Sequence, residues 1–153
     1  MSYRMKMILP IIGMVLVIGY AAIRVVSSNV QEVEQPLPPA LNNLADAKLI
    51  EIKDAGGQVV LSGNFVLITT VGDETERVAT LTAAGSDPDA RGIAEIEITQ
   101  TNNAVAEQEL ELTVEQLTAG AAFRVFVDNQ EAASFTANHQ GVAEVEFSSA
   151  LSK

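Results

Sequence analysis

The first chemistry the sequence offers is hard oxygen ligation. Asp87-Pro88-Asp89 and Asp73-Glu74-x-Glu76 set carboxylates in turn-like stretches, the donor type that Ca²⁺ takes. Asp87 and Asp89 are the candidate metal ligands, and neither stretch matches an EF-hand loop. His139 is the single histidine and stands in the turn-like Asn138-His-Gln-Gly141. A Ser–His–acid site needs that imidazole beside an activated nucleophile, and there is no G-x-S-x-G elbow. There is also no phosphate-cradling P-loop and no G-x-G-x-x-G. The chain has no cysteine, which excludes disulfides, thiol catalysis, thiolate zinc sites and a lipobox-type lipid anchor. A transition-metal site ordinarily takes more than one histidine or cysteine. A glycosidase carboxylate pair has 20 acidic residues to draw on. These glutamates alternate along strand faces, however, and there is no tryptophan to stack on a sugar. The expectation is a protein that is not an enzyme and holds no cofactor, with Ca²⁺ the one ion that has candidate ligands.

The elements that would position these residues are short strands. Strands are expected at 48–53, 59–71, 77–83, 92–99, 107–115, 122–128, 131–137 and 141–148, separated by Gly, Asp, Asn and Pro turns. In Gly141–Phe147, Ala143, Val145 and Phe147 alternate with Glu144 and Glu146. In Glu107–Glu115, Leu110, Leu112 and Val114 oppose Glu109, Glu111 and Glu115. Period-two alternation gives one buried and one wet face. A one-residue slip would bury the glutamates, so the register is well specified. The segment 65–71 is apolar at both parities, which suits a central or covered strand. In 123–128 the inward set is Phe123, Val125 and Val127. Phe126 falls on the opposite face with Arg124 and Asp128, either packed beneath the stalk or a loop, or offered to a partner.

Met7–Ile23 fixes the compartment. It runs 17 residues without a charge, about 26 Å as a helix, close to the hydrocarbon thickness of a bilayer. Met7, Ile8, Leu9, Ile11, Ile12, Met14, Val15, Leu16, Val17, Ile18 and Tyr20 would line the anchor, and Tyr3 and Tyr20 suit the two interfaces. A cleaved signal peptide stays open, with Ala22 or Asn29 as the first mature residue. Arg4 and Lys6 precede the segment, while Glu32 and Glu34 follow it. The positive-inside tendency therefore leaves the amino end in the cytoplasm and the rest in the periplasm or outside the cell.

Charge divides along the chain. Three of the nine basic residues lie at or before Arg24, and all 20 acidic residues lie beyond Ser28, so the exported part carries 6 − 20 = −14. That part has no basic patch for nucleic acid. Residues 27–46 contain Pro36, Pro38 and Pro39 and read as an extended stalk. Gly92–Ile98 and Gly141–Phe147 are near copies, each preceded by a similar strand, Val78–Ala83 and Ala132–Ala137. Two such four-stranded units would face each other to hide their apolar sides.

The expected architecture is all-β: an antiparallel sandwich of about eight strands over 47–153 with an approximate internal repeat. It follows a transmembrane anchor or signal over 1–26 and a stalk over 27–46. The pieces Gly92–Glu97, Leu112–Leu117, Phe123–Asp128 and Gly141–Phe147 resemble bacterial exported β-sandwich domains of uncharacterised function. That resemblance implies a fold and no catalytic residues. Leu61-Ser62-Gly63 resembles the start of a chordin-type domain, whose histidine-rich segment is missing here. The expected function is a non-catalytic, membrane-anchored structural or accessory subunit, whose partners are the lipid bilayer and other membrane or surface proteins. The alternatives are a secreted or periplasmic module binding calcium or carbohydrate, and a pilin-like filament subunit. The last lacks the Gly-Phe cleavage site and early glutamate of type IV pilins.

Overall fold

The computed structural model describes residues 32–102 and 104–152. The expected anchor, Met7–Ile23, lies outside them. Among the described residues no helix is long and apolar enough to cross a membrane. The structure is all-β, with strands β1 (Glu32–Pro36), β2 (Leu49–Asp54), β3 (Val59–Asn64), β4 (Val66–Val71), β5 (Glu74–Ala83), β6 (Arg91–Thr101), β7 (Ala104–Glu115), β8 (Ala122–Val127), β9 (Gln130–Thr136) and β10 (Ala143–Ser148). These ten make one curled sheet in the order β1-β10-β7-β6-β5-β3-β2-β8-β9, with β4 attached to β5. The count exceeds eight for two reasons. Phe65 divides the expected strand 59–71 in two, and the stalk supplies a strand of its own.

The inner face of the curl is the core. Ala94, Ile96 and Ile98 of β6, Leu110, Leu112 and Val114 of β7, and Val145 and Phe147 of β10 are buried. Ile50, Ile52, Val125 and Val127 face them from β2 and β8. The glutamates take the other parity, as the alternation requires. Burying each large aliphatic side chain contributes about 1.5–3 kcal/mol, and a register slip would exchange it for an unpaired carboxylate.

Two turns follow directly from local chemistry. β2 and β3 are joined by Asp54–Gly57, where Asp54 O accepts from Gly57 N at 3.0 Å, Asp54 Oδ1 accepts from Gln58 N at 2.9 Å and Gly57 has φ 84°. β8 and β9 are joined by Asp128 and Asn129, both at positive φ (47° and 67°), as a two-residue hairpin of the primed type demands. Asp128 Oδ1 also accepts from the backbone N–H of Leu49 at 2.9 Å, which ties this turn to the start of β2.

The stalk expectation needs correcting from Glu32 onward. β1 pairs parallel with β10, Glu32 opposite Glu144 through Pro36 opposite Ser148. Short 3-10 turns follow at Pro39–Leu41 and Leu44–Asp46. Leu37, Leu41, Leu44 and Ala47 are buried in the core, and Pro39–Leu41 packs against β9. The segment thus crosses from the β10 end of the curl to the β9 end. It has the composition of a linker, but its three leucines plug the open side. Gln108, buried on β7, holds it there. Its Oε1 accepts from Leu44 N at 2.8 Å, and its Nε2 donates to Asn42 O at 2.9 Å.

The near copies also differ from expectation. β5 and β6 form a long antiparallel pair, Glu74 opposite Thr99 through Thr82 opposite Arg91. β9 and β10 sit at different ends of the sheet order. The glycine-led halves nevertheless share a neighbour, because β6 and β10 are the two flanking strands of β7. Leu112 lies between Ala94 and Val145, and Leu110 between Ile96 and Phe147. The copies stand parallel to each other and offset by two residues.

Candidate contact surface

Two surfaces stand out on the described sheet: a glutamate face and an apolar edge. The register assembles the first. Glu95, Glu111 and Glu146 lie in one cross-strand row over β6, β7 and β10, and Glu76, Glu97 and Glu109 in the next over β5, β6 and β7. Like charges directly opposite one another repel. Over β5, β6, β7 and β10, Arg91 is the basic residue of this parity among the described residues, at the far end of the rows, where its Nε pairs with Glu115. Loss of hydration among the crowded side chains raises the Glu95 carboxyl above its ordinary value, and repulsion from Glu111, Glu76 and Glu97 raises it further. Glu97 is raised in the same way, by desolvation and then by Glu74 and Glu109. Glu109 is raised by desolvation and by Glu107, and the Ser148 hydroxyl opposes this.

The second surface is β4. It was expected to be central or covered because it is apolar at both parities. The structure corrects this: every residue of β4 is exposed, and among the described residues the strand pairs with β5 alone. Relative exposures are 56% for Val66, 62% for Leu67, 52% for Ile68 and 71% for Val71. The cause is the break at Phe65. Phe65 is buried and its N–H donates to Lys48 O at 2.9 Å. Beyond it the chain leaves β3's course and runs up the projecting first half of β5, past the end of the core. A register irregularity between Leu67 and Thr69 marks Ile68 as the bulged residue.

The residues singled out from sequence fall elsewhere. The Asp87 carboxylate is engaged by Thr118, accepting from its backbone N–H at 3.0 Å and its hydroxyl at 3.0 Å, so it fastens the β5–β6 loop to the stretch after β7. Asp89 is exposed on the same loop. Among the described residues no three His, Cys, Asp or Glu side chains gather as a metal site. His139 is exposed in the β9–β10 turn. Phe126 lies on the outer face, as its parity required, and packs beneath this chain's own cations. Lys53 Nζ is 4.4 Å and Arg124 Cζ 5.7 Å from its ring centroid, within cation–π range. Those cations also pair with Glu51 and Glu131, at 3.1 Å and 3.7 Å.

Sequence reasoning missed one strand and one residue that matter. β4 gave a misleading signal, because apolar character at both parities describes an unprotected edge as well as a covered strand. Gln108 breaks the run Leu110, Leu112, Val114 at an inward position, and that interruption was the clue to a buried polar link. Comparison with protein-family models, curated proteins and solved structures finds no match to this chain.

Proposed function

We propose that this protein is a membrane-tethered β domain that works by contact, as an accessory or structural subunit of a membrane or cell-surface assembly, and carries out no catalysis itself. In this reading Met7–Ile23 is an uncleaved anchor with its amino end in the cytoplasm, and the curled sheet forms a sandwich-like head outside the membrane. The observation that carries it is the exposed apolar edge of β4, because an uncovered apolar surface on a water-facing domain marks a place where something else binds. Its position supports the reading. β1 begins level with Thr80 of β5, by the register through Glu144, Thr113 and Ile93. The β4–β5 turn lies beyond Glu74, about 20 Å further along the strands at the usual rise per residue. A head hung from a segment before Glu32 would point β4 away from its own bilayer.

The test uses the full chain in its native membranes. Intact mass is expected to begin at Met1 or Ser2, protease added outside to digest the head, and mild detergent to release the protein with a co-purifying partner. A mature start at Ala22 or Asn29, or release as a lone monomer, would overturn it.

A further inference from the structure

We infer that β4 is an open docking edge which accepts an extended, lysine- or arginine-bearing apolar strand from another protein, adding it to the sheet beside Val66–Val71. This rests on the contact reading above and names the chemistry of the partner.

The argument begins with the edges of the sheet. An exposed edge strand offers unpaired N–H and C=O groups and is normally blunted with charge, proline or polar residues. Among the described residues, two of the three edges follow that rule. β1 carries Glu32, Glu34 and Pro36, and β9 carries Gln130, Glu131, Ser134 and Thr136. β4 reads VLITTV, with no charge and no proline. Its single irregularity, at Ile68, leaves Thr69–Val71 in regular register with Glu74–Glu76. Strand addition at such an edge takes its affinity from main-chain hydrogen bonds and its selectivity from alternate side chains.

The neighbouring strand sets what those side chains should be. On the glutamate face, Thr69 lies opposite Glu76 and Val71 opposite Glu74, and Glu97 and Glu109 continue the Glu76 row inward. An added strand would lie two strand spacings from Glu74 and Glu76, about 10 Å, within reach of an extended lysine or arginine. Arg77, the cation of the β5 projection, has the other parity, and its Nη1 donates to Ala45 O at 2.6 Å. The glutamate face therefore calls for positive charge, and the β4 side chains call for apolar neighbours. A second copy would bring the same acidic excess to the interface, so the complementary occupant is a basic strand of a different chain.

The experiment uses the full chain in detergent micelles and three fluorescein-labelled, end-blocked decapeptides. One alternates lysine with valine, one alternates glutamate with valine, and one is the lysine peptide with two central prolines. The lysine peptide is expected to bind at least tenfold more tightly than either control, and more weakly as salt rises. Val71→Lys should weaken it at least tenfold. Glu74→Gln with Glu76→Gln should weaken it severalfold and flatten the salt dependence. Both changes are on exposed or half-exposed positions and should leave Tm within about 2 °C, which separates loss of docking from loss of fold. Equal binding of the lysine and glutamate peptides, or no binding, overturns the inference. So does binding unaffected by Val71→Lys. Self-association abolished by Val71→Lys, without peptide binding, overturns it in favour of a second copy. If a native complex persists in Val71→Lys, the contact reading survives and this inference does not. If the native protein proves cleaved or partnerless while the lysine peptide binds, the reverse holds.

Discussion

Gly92–Ile98 and Gly141–Phe147 are nearly the same text, and they flank the same strand, β7, from opposite sides. Their surroundings part company at once. The first copy is paired along its whole other side by β5, and its outward glutamates meet glutamates: Glu95 opposite Glu111, and Glu97 between Glu76 and Glu109. The second copy has a short parallel neighbour in β1. Its Glu144 lies between Thr113 on β7 and Glu32 on β1, so it has one glutamate opposite where Glu97 has two, and Glu146 lies between Glu111 and Glu34. Even the leading glycines serve different ends. Gly92 lies flat in the sheet, where a Cβ would sit 2.6 Å from Thr113 O, so it permits close strand approach. Gly141 has φ 75°, and a Cβ there would overlap the Leu117 carbonyl oxygen, so it permits a turn. The lesson is that alternation encodes which face is inward, while the register of the neighbours decides what each position costs.

Substitutions at equivalent sites test that lesson. The largest effect is expected for Phe147→Ala, about 3–5 kcal/mol by urea unfolding, against about 2–5 kcal/mol for its counterpart Ile98→Ala. Both are fully buried, and a smaller loss at Phe147 would mean that the β10 end of the core is loosely packed. Next come the glycines. Either alanine forces a steric overlap costing about 1–3 kcal/mol. Gly141→Ala should be the more damaging, because it adds about 1–2 kcal/mol of left-handed backbone strain. Equal losses would show that the turn conformation is immaterial.

The smallest effects concern charge. Glu97→Gln removes a carboxylate flanked by two others and should stabilise the fold by about 0.2–1 kcal/mol at low salt, whereas Glu144→Gln should do less. The pH dependence follows from the raised carboxyls of Glu95, Glu97 and Glu109. A carboxyl raised in the native state binds more proton there than in the unfolded chain. Stability therefore falls as pH climbs from the ordinary carboxylate value through the raised one, and returns as pH drops back. Tm should be higher near pH 5 than at pH 7.5, and the gain should shrink in Glu97→Gln. A Tm that is lower at pH 5 than at pH 7.5 would show that the glutamate rows do not govern the acid response.

Much of the inner face was readable in advance. Leu110, Leu112 and Val114, Val145 and Phe147, and Phe123, Val125 and Val127 point inward as their parity requires, because a strand's pattern is local. The exposure of β4 was not readable, because nothing local in VLITTV says that among the described residues its neighbours end at β5. The stalk misled for a related reason. Leu37, Leu41 and Leu44 recur at i, i+4 and i+7, a spacing that marks one buried side of a turn-rich segment, but the prolines beside them read as extended linker. Asp87 and Asp89 stand out in the sequence by ligand type alone. Whether a loop carboxylate faces an ion or a threonine depends on a residue 31 positions away, Thr118.

The parallel pairing of β1 with β10 has a mechanical consequence. A tug on the chain ahead of Glu32, resisted beyond Ser148, slides one strand lengthwise past the other instead of peeling it. All five registered positions then bear the load together, whereas a peeled edge gives way one bond at a time. Tension entering along the leading segment is thereby spread across a whole seam before any leucine behind it is drawn out of the interior.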